Sequence, residues 1–259
     1  MARELICDIS DDFRFWIDEI GHGVSIEDDC CQKHHPFPWD TKTEVSFEPS
    51  IAIVIDPNDI TFSDGKKLPG FRELSEHLGP IEDCCLDNDL ELIVYNSGSR
   101  TDLIKALERG HLIVIVYHHG TKEQILCSQS ADISYYDDFD KISLNLGCLI
   151  SYSCWGNEAL VTIEDEEDEY LDEDYTLLEW LQHQCIPCGF ITIEEAHYST
   201  QTKHQIDESK LNAYLISLLL NRDFESAWNH YRTNAPLGFH EHFRPFGDMK
   251  LELSGLLND

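Results

Sequence analysis

The sequence predicts an α+β protein built on a mixed β-sheet, and three patterns along the chain indicate it. In the first half, short β-branched runs alternate with helical segments, as they do in βαβ units. Between residues 124 and 163 the apolar runs follow one another too closely for intervening helices, which predicts an antiparallel meander. In residues 205–259 apolar side chains recur at helical spacing, so we expect a C-terminal helical hairpin.

The first half is predicted to hold three strands, each an apolar run that ends in turn residues: residues 51–55, 90–95 and 112–117. The first strand leads into Asp56-Pro57-Asn58-Asp59, a turn sequence. A helix over residues 71–78 separates the first two strands, and a second helix, capped by Ser99, closes at Gly110. At least one parallel βαβ crossover is therefore expected between residues 90 and 117.

The middle of the chain predicts strands with no helices between them: residues 124–128, 141–146, 148–155 and 159–163. Gly156-Asn157 separates the last two and fits a type II′ hairpin turn, which needs a positive φ at its first position. Antiparallel strands would thus continue the parallel ones. The sheet is expected to be mixed for this reason.

The last third is predicted to hold a helix over residues 175–184, a strand over 190–193 and two amphipathic helices. Asp207 caps the first of these two helices, Asn221 ends it, and Asp223 caps the second. The first carries one apolar stripe: Leu211, Tyr214, Leu215, Leu218 and Leu219. Core packing explains such a stripe, and a groove for a partner is the alternative. We expect a mixed-sheet domain over residues 1–204, including the acidic segment 164–174, with a helical subdomain over 205–259 packed on it, or one domain made of both.

Neither export nor membrane insertion is predicted. The first twelve residues reach acidic side chains after only a short apolar run, which does not fit a secretory signal. The longest clean apolar stretch, residues 112–117, is far shorter than the roughly 20 residues of a membrane helix. The ten cysteines are then expected to be reduced, mostly buried thiols in a cytoplasm.

Charge is the most distinctive property of the sequence. The formal net charge is −32, from 50 acidic and 18 basic residues. No Lys or Arg occurs between residues 142 and 202, whereas nine carboxylates fall between residues 164 and 174: Glu164, Asp165, Glu166, Glu167, Asp168, Glu169, Asp172, Glu173 and Asp174. Such a surface repels nucleic acid and anionic membranes and attracts basic proteins.

The charge favours an acidic protein-binding inhibitor over other classes. An immunity protein, an antitoxin or a nucleic-acid mimic would use the nine carboxylates to neutralise a basic toxin, nuclease or other nucleic-acid-binding enzyme. A solvated acidic loop without a partner is the main alternative. A calcium loop fits less well, because the glycine and the terminal glutamate of the hand motif are missing. Direct nucleic-acid binding is disfavoured, since Lys66-Lys67 is the one adjacent pair of basic residues.

Cysteine and histidine pairs raise the question of zinc, and no other cofactor is predicted. Soft ligands occur in two places: Cys185 and Cys188 in a C-x2-C pair, and Cys30, Cys31 and His34 in an irregular cluster. Structural zinc usually shows two spaced pairs, so buried thiols are favoured over a metal site.

No established enzyme motif occurs in the sequence, which leaves an enzyme or ligand sensor as the alternative to the inhibitor. The catalytic candidates stand where predicted strands end: Asp56, Asp59, His118 and His119. The segment Ser97-Gly98-Ser99 enters a helix N-terminus and could hold a phosphate or nucleotide. If the strands are parallel neighbours, these groups share one edge of the sheet, where open α/β folds bind ligands. Ordinary turn and cap chemistry explains the same residues.

Overall fold

The computed structural model describes residues 47–121, 123–135, 137–153, 160–163, 173–176, 181, 186–192, 202–235 and 243–257. A six-stranded sheet lies at the centre of this part of the chain. In chain order its strands are β1 (Glu48–Ile55), β2 (Glu91–Tyr95), β3 (His111–Tyr117), β4 (Leu146–Ser151), β5 (Cys188–Thr192) and β6 (Phe243–Gly247). In space they follow the order β2-β1-β3-β4-β5-β6.

All neighbouring strands of this sheet run parallel, except that β6 is antiparallel to β5. Strand β1 lies between β2 and β3, and all its residues from Ser50 to Ile55 are buried. Burial on both faces explains why β1 and β3 read as continuous β-branched runs rather than as alternating patterns. The mixed sheet predicted from the sequence is confirmed. Strands β2 and β3 are both parallel to β1, which lies between them.

The predicted antiparallel meander is wrong for the strand after residue 145. Strand β4 pairs parallel with β3, with Ile113 beside Cys148 and Val116 beside Ser151. Strand β4 can start at the same end of the sheet as β3 because residues 118–145 lead the chain back there. This segment holds a small ribbon, Gln124–Ile125 with Ile133–Ser134, and a 3-10 turn at Phe139–Lys141. An antiparallel pair does follow, between Leu160–Ile163 and Glu173–Thr176, as a separate sheet. Gly156-Asn157 lies outside the described residues.

Five α-helices are described: α1 (Arg72–Ser75), α2 (Gly79–Asp87), α3 (Arg100–Glu108), α4 (Thr202–Asn221) and α5 (Phe224–Asn234). Two of the predicted caps are present, because Ser99 accepts a hydrogen bond from the Asp102 amide and Asp223 accepts one from the Ser226 amide. The predicted cap at Asp207 is wrong, because α4 begins at Thr202 and Asp207 lies within it. The C-terminal helical hairpin is confirmed by the packing of α4 on α5. The helix predicted over residues 71–78 ends early, and Gly79-Pro80 begins a second helix that the sequence did not predict.

The helices cover both faces of the sheet. On one face Leu103 and Leu107 of α3 border a small apolar cavity together with Val116 of β3. On the other face α4 packs against α1, α2 and α5, and Tyr117 of β3 hydrogen-bonds Asn212 of α4. Val116 and Tyr117 are adjacent in β3 and thus lie on opposite faces of the sheet, because successive side chains of a strand alternate between its two faces.

The C-terminal segment shares this architecture, because β6 belongs to the main sheet and Leu257 bridges to Phe47. The helix predicted over residues 175–184 does not begin at residue 175, because Tyr175 and Thr176 lie in the strand Glu173–Thr176. Within the described ranges, no helix combines the length and the apolar character that a membrane crossing needs.

Candidate functional site

The candidate site lies where the parallel strands end. Asp56 follows β1, Ser97 to Ser99 follow β2, and His118 and His119 follow β3. Because these strands are parallel neighbours, their carboxyl ends meet at one edge of the sheet. The chain order reverses between β1 and β3, since β2 lies on one side and β4 on the other. Open α/β sheets bind their ligands outside such a reversal point.

The Asp56 side chain accepts several hydrogen bonds at this edge. Its side chain is fully buried and accepts hydrogen bonds from the Asn58 amide at 3.1 Å and from the Ser128 amide and hydroxyl at 2.8 and 2.5 Å. Asp59 acts similarly, because its Oδ1 accepts from the Gly70 amide at 3.1 Å. Both carboxylates therefore hold loops against the strand ends. Among these contacts, neither carboxylate faces a free group with which it could exchange a proton.

The start of α3 is occupied by its own neighbours. Ser99 Oγ accepts from the Asp102 amide at 3.3 Å, and Ser97 Oγ donates to Asp102 Oδ2 at 2.5 Å. The Arg100 amide donates to Ser130 Oγ at 2.7 Å. A phosphate here would compete with these bonds for the helix amides. Phosphate or nucleotide binding at Ser97-Gly98-Ser99 stays a prediction, and these contacts do not favour it.

His119 is held in one orientation. Its Nε2 lies 2.8 Å from the carbonyl oxygen of Pro69, and its ring lies 4.9 Å from that of Phe71. A carbonyl can only accept, so Nε2 carries the proton and the neutral ring has its lone pair on Nδ1. Burial lowers the pKa of His119 below the usual 6.5, against smaller opposing effects of the Pro69 carbonyl and Asp56. At neutral pH the ring is thus an uncharged, oriented base.

His118 is fixed in the opposite tautomer. Its Nδ1 donates to the Leu126 carbonyl at 3.0 Å, so its lone pair is on Nε2. That atom is buried and has no hydrogen-bond partner among the described residues. Burial lowers the pKa of His118 as well. Cys127 Sγ lies 4.0 Å from His118 Nδ1, but burial, followed by Asp132, raises the pKa of this thiol to about 12. Cys127 is therefore not a reactive thiolate.

Two stacked tyrosines lie beneath this edge. The rings of Tyr117 and Tyr152 are 4.2 Å apart and nearly parallel, and Asn212 of α4 hydrogen-bonds both hydroxyls. The Tyr152 amide donates to the Val116 carbonyl at 2.8 Å, which extends the ladder between β3 and β4 past the end of β4. The register has a constant offset of 35 residues, as in Val116 and Ser151.

The remaining predicted sites are not brought together in the described structure. Cys188 is buried in β5, and its Sγ donates to the Gly147 carbonyl at 3.8 Å. Cys185, Cys30, Cys31 and His34 lie outside the described residues. Within those that are described, no group of three or more side chains could hold a metal ion. Zinc stays a prediction.

The acidic surface is described only at its end. Glu173 and Asp174 belong to the strand Glu173–Thr176. The other seven carboxylates of the run lie outside the described residues: Glu164, Asp165, Glu166, Glu167, Asp168, Glu169 and Asp172.

The sequence did not reveal the groups that surround His119. The Pro69 carbonyl is a backbone atom, so no side-chain pattern signals it. The buried polar residues of α4 did leave a signal, because Gln205, Glu208 and Asn212 recur at i, i+3 and i+7 on one helix face. Polar residues at such spacing within a helix that packs on the core indicate a buried polar face.

No protein-family model matches the chain, and the comparison with curated proteins finds no similar sequence. The function is therefore inferred from the geometry at the strand ends.

Proposed function

We propose that the protein is a hydrolase of acyl bonds in which His119 is the general base and general acid. The hydrogen bond between His119 Nε2 and the Pro69 carbonyl is the observation that supports this most directly. In acyl-transfer enzymes a third group fixes the tautomer of the histidine, and the opposite ring nitrogen takes the proton of a nucleophile. Here Pro69 is that third group and Nδ1 is the reacting nitrogen.

The sequence supplies a nucleophile for this base. The residues after β4 read Tyr152-Ser153-Cys154-Trp155-Gly156, and Cys154 itself lies outside the described residues. It follows Ser151, the last residue of β4, by three positions in the sequence. We assign the nucleophile to Cys154 on this basis. A thiol is intrinsically the strongest nucleophile among the side chains that histidine activates.

The reaction would proceed in two balanced steps. In the first, the Cys154 sulfur bonds to the acyl carbon while its proton passes to His119 Nδ1 and then to the leaving amine or alcohol. In the second, His119 takes a proton from water, whose oxygen bonds to the acyl carbon as the bond from that carbon to sulfur breaks. His119 then returns the proton to the Cys154 sulfur, which releases the acid and the free thiol. A peptide is the substrate class that we assign. No redox partner or metal enters either step.

A cytoplasmic location is part of the proposal. Cys148 and Cys188 are register partners on β4 and β5, and both are free thiols. Reduced neighbouring cysteines favour a reducing compartment, which a thiol nucleophile also requires.

The test is hydrolysis of a fluorogenic peptide library, with four variants compared with the wild type. We expect Cys154→Ala and His119→Ala to lose at least about a thousandfold in kcat/KM, as removal of a nucleophile or its base does. Ser153→Ala is the matched control beside the nucleophile, and Cys127→Ala is the control thiol; both should stay within a few-fold of wild type. Turnover that survives His119→Ala would contradict the proposal.

A basic protein partner is a second proposal, supported by the charge of −32 and by the cation-free stretch between residues 142 and 202. Capture from the native lysate should recover a basic protein at low salt and lose it at about 0.5 M salt, where screening is strong. Replacement of the nine carboxylates of residues 164–174 by Ser or Asn should abolish capture without loss of the fold. Capture that is indifferent to salt would contradict this second proposal.

A further inference from the structure

Strand β2 lies at one edge of the central sheet, and among the described residues no strand pairs with its outer side. Proteins usually block such an edge with proline, lysine or a bulge. The opposite edge strand, β6, carries Arg244 and Pro245, whereas Glu91–Tyr95 contains neither proline nor lysine and pairs with β1 without a bulge. The outer side of β2 can therefore accept a further strand through its backbone.

Apolar side chains are exposed at the same edge. Val94 is 40% exposed, and Leu86, at the end of the helix α2 that packs on β2, is 75% exposed. Val94 is in register with Ile53, and Ile53 with Ile115, two residues before Tyr117. Val94 therefore lies on the face of the sheet on which α4 and α2 pack. A strand added here would bury apolar surface as well as backbone groups.

The sequence of β2 is complementary to itself in one antiparallel register. A two-fold axis through Ile93, perpendicular to the sheet, pairs Leu92 of each copy with Val94 of the other and Glu91 with Tyr95. Every residue of the strand then has a partner, whereas an axis at Leu92 or Val94 leaves part of the strand unpaired. Apolar residues face each other in this register, and the two Glu91 side chains lie at opposite ends of the paired strands.

A cation lies where this register brings Glu91 of the second copy. The Tyr95 hydroxyl, ahead of the Glu48 and Glu91 carboxylates, raises the pKa of Arg109, which places this guanidinium beside Tyr95. Arg109 Nε lies 3.3 Å from Glu48, but the side chain is still 51% exposed and has further N–H groups to donate. The carboxylate of the second copy therefore meets a cation. This charge complementarity favours a second copy of the chain over an unrelated strand.

We propose that the protein forms a two-fold symmetric dimer in which the β2 edges of two copies pair antiparallel about Ile93. The two central sheets then join into one continuous sheet. Because the copies run in opposite directions, their strand-end sites face opposite ends of that sheet. The net charge of −32 opposes association at long range, but at about 0.15 M salt charges more than roughly 8 Å apart are screened. The dimer does not depend on the proposed hydrolase chemistry.

The test is sedimentation equilibrium of the full chain at about 0.15 M salt. The mass of the wild type should rise with concentration from that of one chain towards that of two. Val94→Lys should weaken association by at least about 30-fold, because it places an ammonium group against Leu92 of the second copy. The substitution also lowers the negative charge of the chain, so added long-range repulsion cannot explain weaker association.

Phe62→Lys is the matched control. Phe62 is 38% exposed, follows the short strand Ile60–Thr61 outside the central sheet, and undergoes the same charge change. This variant should associate as the wild type does. A wild type that stays monomeric, or a Val94→Lys protein that associates as tightly as the wild type, would overturn the proposal.

Charge exchange tests the register. Glu91→Lys and Arg109→Glu should each weaken association by about tenfold, because two exposed ion pairs are lost at once, and the double variant should recover most of this loss. No recovery would overturn the register about Ile93. Hydrogen exchange provides a readout without a variant, since the β2 amides should be protected more strongly in concentrated than in dilute protein. Equal protection at both concentrations would assign the edge to another segment of the same chain and overturn the dimer.

Discussion

Gly98 provides the sharpest test of how the strand ends are held together. Its φ of +66° lies in the left-handed region, and a methyl group added there would lie 2.5 Å from Ser128 Oγ and closer still to Asp56 Oδ1. Gly98→Ala therefore changes two things at once: it strains the backbone, and it pushes apart the Asp56 carboxylate and the serine that donates to it.

The size of the effect follows from these two contributions. A non-glycine residue in the left-handed region costs about 1–2 kcal/mol. Loss of one buried hydrogen bond to a charged group adds about 1.5–3 kcal/mol. We expect Gly98→Ala to lower the free energy of unfolding by about 2.5–5 kcal/mol.

Gly65 is the matched control for the backbone contribution. Its φ is +83°, and no atom lies within 4 Å of an added methyl group. Gly65→Ala should therefore cost only the backbone strain, about 1–2 kcal/mol. Urea unfolding followed by circular dichroism measures both variants. If Gly98→Ala were no less stable than Gly65→Ala, the hydrogen bond between Ser128 and the Asp56 carboxylate would contribute nothing to stability. That result would refute the reasoning.

Three further predictions concern charge and the core. Because the folded pKa of Glu208 is raised, wild-type stability should fall as pH rises above about 4.5, by up to about 1.4 kcal/mol per pH unit, and Glu208→Gln should remove this fall. The ascending limb of kcat/KM against pH should lie below 6.5, because burial lowers the pKa of His119. Phe190→Ala should lower the free energy of unfolding in urea by about 3–5 kcal/mol. The reason is that this ring is fully buried and its centroid lies 5.0 Å from those of Phe224 and Trp228.

Each of these has an outcome that contradicts it. Parallel pH profiles of stability for wild type and Glu208→Gln would mean that the carboxyl titrates normally. An ascending limb above 6.5 would mean that His119 is not the group that loses the proton. A cost below 1 kcal/mol for Phe190→Ala would mean that β5 does not pack against α5 as the ring contacts indicate.

Local features of the fold could be predicted because their causes are local. The predicted strand over residues 51–55 lies within β1, and 112–117 within β3, since β-branched runs carry their preference in their own side chains. The Ser99 and Asp223 caps were correct for the same reason, because each acceptor and its amide are three residues apart.

Features that depend on distant pairing could not be predicted. The run that became β4 is compatible with either direction of pairing, and the choice depends on the path of residues 118–145. The site was located only in part for the same reason. His118 and His119 were singled out together, although the contacts that distinguish them come from Leu126 and Pro69, the second of these 50 residues away.

The alternation of a strand explains why two adjacent histidines differ. His118 follows β3 toward Leu126 and Cys127, where its ring is enclosed, whereas His119 lies against Phe71, the residue that also contacts Tyr117. Tyr117 and His119 are two residues apart, so they share the face on which α4 packs. The oriented base and the buried carboxyl of Glu208 are therefore on one side of the sheet.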